Sequence, residues 1–297
     1  MLSVIIPAYN EERTLAAVVE RVLRLPEAPE VIVVSDGSTD GTNDIIRRLQ
    51  REYGITGIIC PRNGGKGAAI AAGLRHATQP YTVIQDADLE YYPEEFTTLL
   101  RPVKAGKAQV VFGSRNLGNP AALKNHFHYI RFWLGGKGIT LFANLLFLTH
   151  LTDEATCYKL FPTELLRRMN LQCRGFDFCP EVTAKALRMG YRIHEVPIRY
   201  NPRSLSEGKK IRAWHGFQAL FVLLKYRVLP LNTTAPTKNR AAQPVAVNEP
   251  APDKAIAGPE SSRAESPGSE SPGPESSGPA DRAVVSRDDH NALAALI

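Results

Sequence analysis

Short apolar runs alternate with helix-periodic segments along the first 86 residues of the chain. The runs cover residues 2–7, 30–34 and 57–60, a fourth ends at Asp86, and each predicts a buried strand. In the segments between them apolar residues recur every three or four positions, which predicts helices that pack one face on a sheet. These residues are Leu15, Val18, Val19, Val22 and Leu23, then Ile45, Ile46 and Leu49, then an Ala-rich stretch through residue 77.

Strands and helices that alternate at this spacing predict an α/β fold, with a mostly parallel, Rossmann-like sheet flanked by helices on both faces. Asn10 is expected to cap the first helix, because a short polar side chain there precedes the first apolar-periodic residues. A further strand is predicted over residues 109–114.

Four polar clusters follow the predicted strands, at the edge of a parallel sheet where ligands bind. A nucleotide site explains this clustering better than chance does. The clusters are Pro7-Ala8-Tyr9-Asn10-Glu11, Asp36-Gly37, Lys66, and the stretch from Asp86 to Glu90.

The last cluster places three acids at every second position, Asp86, Asp88 and Glu90. In an extended segment such positions share one side, so the three carboxylates are expected to converge. Three like charges at one point favour a hard divalent cation, Mg²⁺ or Mn²⁺, that also binds substrate phosphates. Asp88 and Glu90 are the best candidate ligands, and Asp86 is directed at the ribose or the metal. A solvated acidic strand end is the alternative for an isolated D-x-D.

The other clusters supply candidate contacts to a nucleotide. Asp36 is expected to bind the base or ribose, and Pro7 and Tyr9 to wall the nucleoside, although strand-end packing explains Tyr9 equally well. Lys66 follows two glycines at a predicted helix start, which suits a nearby phosphate, and a plain tight turn is the alternative. The chain has no G-x-x-x-x-G-K-[ST] phosphate loop.

Composition divides the chain into a domain and a tail. Residues 1–229 are long enough to bury one doubly wound sheet. Residues 230–297 are rich in Pro, Ser, Glu, Ala and Gly with almost no aromatic residues, which predicts a disordered tail. The whole chain has 36 basic and 30 acidic residues, and the tail holds 6 of the basic and 9 of the acidic ones. The first 229 residues therefore hold 30 basic and 21 acidic residues, a net charge of +9. That charge fits an anionic partner, and no nucleic-acid motif accompanies it.

Neither a signal peptide nor a transmembrane helix is recognisable in the sequence. The four cysteines, Cys60, Cys157, Cys173 and Cys179, lack the spacing of metal ligands, and reduced thiols in a cytoplasmic protein are expected.

Several of these motifs, taken in order, resemble glycosyltransferase family 2, whose members have the GT-A fold. They are Pro7-Ala8-Tyr9-Asn10-Glu11, Asp36-Gly37-Ser38-Thr39-Asp40, Asp86-Ala87-Asp88, Gly113-Ser114-Arg115, Thr156-Cys157-Tyr158-Lys159 and Ser206-Glu207-Gly208-Lys209-Lys210. The combination is similar to the polyprenyl-phosphate sugar transferases, among them the dolichol-phosphate mannose and glucose synthases, and covers residues 1–229.

The resemblance implies an inverting, metal-dependent transferase that moves a hexose from GDP-mannose or UDP-glucose to a polyprenyl phosphate. Arg115 is similar to a family arginine that faces phosphate. Basic residues along the later chain are expected to hold the acceptor phosphate, since arginine binds phosphate bidentately. They are Arg131, Lys137, Arg203 and Lys209. For Arg131 and Lys137, snorkelling over an apolar helix is the alternative.

An ionised acceptor phosphate needs no strong general base, whereas a hydroxyl acceptor does. For a soluble or polysaccharide hydroxyl acceptor, Asp153 or Glu181 is the candidate base, and Asp153 is the catalytic candidate of the two. Ser35 and Ala155 depart from the family pattern, which leaves open a degenerate member that binds nucleotide and regulates.

Residues 214–227 combine an aromatic and basic start, an apolar middle and a basic end. This pattern is typical of an interfacial helix on a membrane, and equally of a helix packed on the sheet. The resemblance favours the membrane, which predicts a peripheral protein on the inner face. His215, within this helix, is expected at the surface or as a cap.

Overall fold

The computed structural model describes residues 1–117, 127–203 and 213–233, with side chains described from residue 134 in the second range and from 214 in the third. All of them belong to one compact unit, Met1–Ala246. Residues 234–297 lie outside the described residues, so the division at residue 229 and the disordered tail stay predictions.

Seven strands and eight helices are present in the described residues. The strands are β1 Leu2–Ala8, β2 Glu30–Asp36, β3 Thr56–Cys60, β4 Tyr81–Ile84, β5 Val110–Ser114, β6 Lys159–Pro162 and β7 Ile193–Pro197. The helices are α1 Leu15–Leu23, α2 Thr42–Tyr53, α3 Lys66–Leu74, α4 Phe96–Lys104 after a 3₁₀ turn at Pro93–Glu95, α5 Phe127–Phe147, α6 Thr163–Arg168, α7 Phe178–Arg188 and α8 Ala213–Val228.

The strands form one sheet in the order β3-β2-β1-β4-β6-β5-β7. β1 pairs in parallel with β2 and β4, β2 with β3, and β5 with β7, while β6 runs antiparallel to both of its neighbours. The mostly parallel α/β sheet expected from the sequence is therefore confirmed. The carboxyl ends of β1, β2 and β4 lie side by side at one edge.

Both faces of the sheet are covered, which explains the unbroken apolar runs of the central strands. Val4 to Ile6 in β1 and Val31 to Val34 in β2 are all buried, as are Val18 and Val22 of α1. A second, smaller core joins α5, α7 and α8 beside the sheet. It is built from Ala143, Ala184, Val222, Leu223 and Tyr226.

Two helix termini differ from the sequence prediction. The first helix begins at Leu15, and Asn10 does not cap it. Asn10 has a left-handed φ of 53° and its Oδ1 accepts a hydrogen bond from the Thr39 N–H at 2.9 Å, so it joins two loops instead. α3 ends at Leu74, before the predicted residue 77. In the described part of the chain, no helix combines the length and apolarity needed to cross a bilayer.

Candidate active site

A cavity of about 590 Å³ opens at the carboxyl edge of the sheet, between the ends of β1, β2 and β4 and helices α5, α7 and α8. It collects most of the residues that the sequence marked as functional. Pro7, Tyr9, Glu11, Asp36, Lys66, Asp86, Asp88, Glu90, Arg115 and Arg203 all line it. Residues from six separate segments therefore share one solvent-accessible space.

Asp36 holds the loop that precedes α3. Its two carboxylate oxygens accept hydrogen bonds from the N–H groups of Gly64 and Gly65, each at 2.8 Å, and only 4% of its surface is exposed. The neighbouring Gly37 has a φ of 70°, and a Cβ there would lie 2.4 Å from the Asn63 nitrogen. The predicted contact of Asp36 with a nucleoside stays a prediction, and the structure adds a positioning role.

The acidic stretch after β4 is a turn and not an extended strand. β4 ends at Ile84, and Leu89 has a left-handed φ of 61°. The alternation argument that placed Asp86, Asp88 and Glu90 on one side of a strand was therefore wrong in its geometry. The turn nevertheless brings all three carboxylates to the same cavity.

The three acids have different partners. Asp86 Oδ1 forms an ion pair with Lys66 Nζ at 2.5 Å. Glu90 accepts hydrogen bonds from the Tyr200 hydroxyl and, at 2.9 Å, from the Arg203 N–H. Among the described residues, Asp88 Oδ1 accepts one hydrogen bond, from the Glu90 N–H at 3.2 Å, and burial together with the charges of Asp86 and Glu90 raises the pKa of Asp88 to about 7.

The ligand role predicted for the three acids stays a prediction. Among the residues that the structure describes, no three His, Cys, Asp or Glu side chains are grouped to hold a metal ion. Glu90 already binds Tyr200 and the Arg203 N–H, and Asp86 already pairs with Lys66. All three carboxylates are hard oxygen donors, and burial, more than the neighbouring acidic charges, raises the pKa of Asp88.

Lys66 lies at the first position of α3, inside the cavity wall. Besides Asp86, its Nζ donates a hydrogen bond to Cys157 Sγ at 3.3 Å. Burial acts to lower the pKa of Lys66, but the nearby Asp86 carboxylate outweighs burial and holds that pKa well above its usual value. The amine is therefore a permanent positive charge beside the acids.

Arg115 follows β5 and is fixed by Asp153. The guanidinium Nε and Nη2 donate to the two carboxylate oxygens at 2.7 Å each, and the Arg115 N–H donates to Oδ2 at 3.0 Å. The Arg115 guanidinium also lies 5.0 Å from the ring centroid of Tyr200. Asp153 is 2% exposed and both of its oxygens are occupied, so the structure opposes its predicted role as a general base.

Glu181, the other candidate base, lies within α7 and away from the cavity wall. It is 1% exposed and forms an ion pair with Lys185 at 2.5 Å. Tyr226 of α8 and the N–H groups of Gln172 and Cys173 also donate to it. With both oxygens bound inside the protein, Glu181 has no access to a substrate hydroxyl.

The predicted acceptor cations are only partly described. Arg203 lines the cavity and pairs with Glu11 at 3.4 Å. Lys137 lies half-buried on α5 outside the cavity wall. The Arg131 side chain and the whole of Lys209 lie outside the described residues, so their roles stay predictions.

Sequence reasoning missed an aromatic wall of the cavity. The rings of Tyr91 and Tyr200 are 4.9 Å apart, and the ring of Phe176 lies 4.7 Å from that of His215. Phe178 completes this wall. His215, expected at the surface or as a cap, is therefore a cavity residue. No local pattern marks these positions, because each ring meets its partner only in the tertiary fold.

Comparison with known proteins identifies the family. The model described as glycosyl transferase family 2 matches residues 3–169. The chain belongs to this family. It is 31% identical over 212 residues to an undecaprenyl-phosphate mannosyltransferase of Micrococcus luteus, which covers 69% of this chain and 85% of the relative. It is 30% identical over 227 residues to a dolichyl-phosphate beta-glucosyltransferase of Trichomonas vaginalis. That match covers 71% of this chain and 68% of the relative.

Solved structures agree with the fold of this glycosyltransferase. Glucosyl-3-phosphoglycerate synthase of Mycobacterium tuberculosis, crystallised with Mg²⁺ and uridine diphosphate, superposes with a TM-score of 0.58 at 22% identity. The match covers 77% of this chain and 80% of that one. The family match ends at residue 169, so the cavity walls from α7, α8 and residues 200–203 lie beyond the matched region.

Proposed function

We propose that this glycosyltransferase moves a hexose from a nucleotide sugar to a polyprenyl phosphate at the cytoplasmic face of a membrane. One observation carries the proposal. A single cavity brings the acids Asp86 and Asp88 together with the cations Lys66, Arg115 and Arg203, and α5 and α8 contribute to its walls. This combination suits a metal-bound diphosphate donor together with a monophosphate acceptor that has an apolar tail.

The residues that follow β1, β2 and β4 in the cavity, with Lys66, are proposed to bind the donor. Pro7, Tyr9 and Glu11 would wall the nucleoside together with Asp36, and Lys66 would face the diphosphate. Asp86 and Asp88 would hold Mg²⁺ or Mn²⁺, which when bound neutralises charge developing on the leaving diphosphate. Solved members of this fold hold these ions with uridine nucleotides, which agrees with such a donor.

Two arginines of the cavity are proposed to bind the acceptor phosphate. Arg115 and Arg203 both line the cavity, Asp153 holds the Arg115 guanidinium in one orientation, and Arg203 lies beside Glu11. A monophosphate is largely ionised near neutral pH, since its second pKa is about 6. Its oxygen can attack the anomeric carbon without a general base. That is consistent with the occupied carboxylates of Asp153 and Glu181.

An apolar surface beside the cavity is proposed to lie on the membrane. On α8 it consists of Trp214, Phe217, Phe221, Leu224 and Val228, which are 46–71% exposed and recur every three or four residues. α5 adds Leu134, Leu141 and Leu145, which are 56–67% exposed. The opposite side of α8, with Val222 and Leu223, packs on α5 and α7, so this helix serves both as core and as surface. Arg227, near its end, suits anionic lipid headgroups.

The donor sugar is proposed to be mannose or glucose, carried by GDP or UDP. The relatives include a mannosyltransferase and a glucosyltransferase at nearly equal identity, so both donors belong in the test.

The test is a panel of GDP-mannose, UDP-glucose and UDP-N-acetylglucosamine, each incubated with Mn²⁺, with and without undecaprenyl phosphate. We expect one hexose donor to give a lipid-extractable, sugar-labelled product only when the lipid phosphate is present. Transfer to a soluble hydroxyl acceptor without lipid product would refute the lipid proposal. Binding of nucleotide without any transfer would indicate a regulatory member.

A further inference from the structure

Glu181 is an internal junction between three parts of the protein. Its Oε1 accepts hydrogen bonds from the Lys185 amine at 2.5 Å, the Tyr226 hydroxyl at 2.8 Å and the Gln172 N–H at 2.8 Å. Its Oε2 accepts the Cys173 N–H at 2.6 Å. One carboxylate on α7 therefore ties α8, through Tyr226, to the backbone of residues 172–173.

The backbone of Cys173 and Arg174 packs closely against the first turn of α3. The Arg174 carbonyl accepts hydrogen bonds from the N–H groups of Gly67 at 2.8 Å and Ala68 at 3.3 Å. A Cβ at Gly65 would lie 2.2 Å from that carbonyl oxygen, and one at Gly67 would lie 2.7 Å from the Cys173 carbonyl oxygen. Only glycine permits this approach on either side of Lys66.

These contacts affect which N–H groups at the start of α3 can bind a ligand. The first N–H groups of a helix have no intrahelical partner and commonly bind phosphate directly. Here Gly67 and Ala68 donate theirs to the Arg174 carbonyl, so these two N–H groups do not face a ligand, and the Lys66 amine is the side-chain donor at this point of the cavity wall. The place of that amine depends on where residues 172–174 lie.

We propose that Glu181 and Tyr226 are positioning residues for Lys66. Through residues 172–174 they fix the first turn of α3 and thus the distance between the Lys66 amine and the donor diphosphate. The inference rests on the proposed function for the role of Lys66 at the diphosphate. It assigns to α8 a part in donor binding, in addition to its exposed apolar face.

The experiment compares the full-length protein with Tyr226→Phe, which removes one hydroxyl and keeps the ring. Calorimetry with UDP and with GDP, each with Mn²⁺, measures nucleotide affinity without acceptor. Because the lost hydrogen bond acts on Lys66 only through residues 172–174, the dissociation constant should rise about threefold to tenfold, less than the loss of a direct hydrogen bond to a charged group would give. In transfer kinetics the donor KM should rise in parallel, while the lipid phosphate KM stays within about twofold.

Glu181→Gln should raise the dissociation constant further, because Lys185 loses its charge partner as well. Removing one member of a buried ion pair is strongly destabilising, so this variant can fail to fold. In that case Tyr226→Phe alone decides the question.

Thr163→Val is the matched control. It too deletes one buried hydroxyl, which bonds Thr82 Oγ1 at 2.8 Å at the opposite edge of the sheet. We expect its melting temperature to fall while nucleotide affinity stays unchanged. An unchanged dissociation constant in Tyr226→Phe, or an equal rise in Thr163→Val, would overturn the inference. Wild-type protein that binds neither nucleotide would overturn the proposed function as well, whereas binding without lipid transfer would overturn only the latter.

Discussion

At the scale of single residues, the carboxylates around the cavity have separate tasks that their sequence positions do not reveal. Asp86 pairs with Lys66, Asp153 with Arg115, and Glu90 binds Tyr200 and the Arg203 backbone. Asp88 forms no ion pair within the described ranges, and burial with its acidic neighbours raises its pKa. A bound cation would favour the charged form of Asp88, so this residue is the one to replace in a test of the proposed metal site.

Asp88→Asn keeps the size of this side chain and removes its charge. We expect transfer to fall by about a hundredfold or more, since a metal at a developing charge contributes several kcal/mol. Mn²⁺ affinity measured by calorimetry in the presence of UDP should fall with it. Asp44→Asn, at an exposed residue of α2, is the control and should behave like wild type. Full activity of Asp88→Asn in excess chelator would exclude a metal role for this residue.

At the scale of elements, α8 has one face buried in the protein and one face exposed to solvent. Ala219, Val222, Leu223 and Tyr226 are buried against α5 and α7, whereas Phe217 and Phe221 are each 67% exposed. Exposed aromatic residues in one stripe add little to folding, because they lose little water-accessible surface in the folded chain. Their conspicuous exposure is explained if a lipid surface covers them.

Replacing Phe217 and Phe221 together with Ser should weaken binding to anionic vesicles about tenfold or more, because apolar area no longer enters the interface. Cosedimentation with phosphatidylglycerol vesicles at low and high salt measures the loss. The melting temperature should stay near wild type, since neither ring belongs to the core. Tyr53→Ser, an exposed aromatic position on α2, is the control and should bind vesicles normally. Wild-type protein that ignores vesicles at every salt concentration would refute the membrane surface.

At the scale of the whole molecule, the folded domain extends slightly beyond α8. Leu231 packs against the small core of α5, α7 and α8, and the Asn232 carbonyl accepts a hydrogen bond from Asn170. The composition of the remaining chain predicts a disordered tail, because such a sequence buries too little apolar surface to offset the entropy of ordering.

A chain ending at residue 233 should therefore fold and transfer sugar as the full-length protein does. Thermal unfolding and transfer kinetics on both chains measure this. A chain ending at residue 212 is the contrasting variant. It lacks Tyr226, so Glu181 loses the hydrogen bond from the Tyr226 hydroxyl. It also lacks Val222 and Leu223, so the faces of α5 and α7 that pack against α8 become exposed. Its melting temperature should drop markedly. Loss of stability in the longer chain would show that the tail belongs to the domain.

Local pattern determined the alternating strands and helices and the edge where the polar clusters meet. Apolar runs, helical periodicity and glycine-rich turns act over a few residues, and the parallel sheet follows from their order. That is why the eight residues predicted from the strand-end clusters, from Pro7 to Glu90, line one cavity. The family resemblance supplied Arg115, which local pattern alone did not distinguish.

Only the tertiary structure decided which of those residues form ion pairs or hydrogen bonds with other residues of the protein. Asp153 meets Arg115 across 38 residues, Glu181 meets Tyr226 across 45, and Glu90 meets Tyr200 across 110. Such pairs form because the sheet order and the packing of α7 and α8 bring distant segments together, and no short-range pattern encodes that. Burial then favours a fixed partner for Asp153, Glu181 and Glu90, because an unpaired buried charge is costly. The sequence by itself placed the acids near the site, and the packing of distant segments decided which of them pair within the protein.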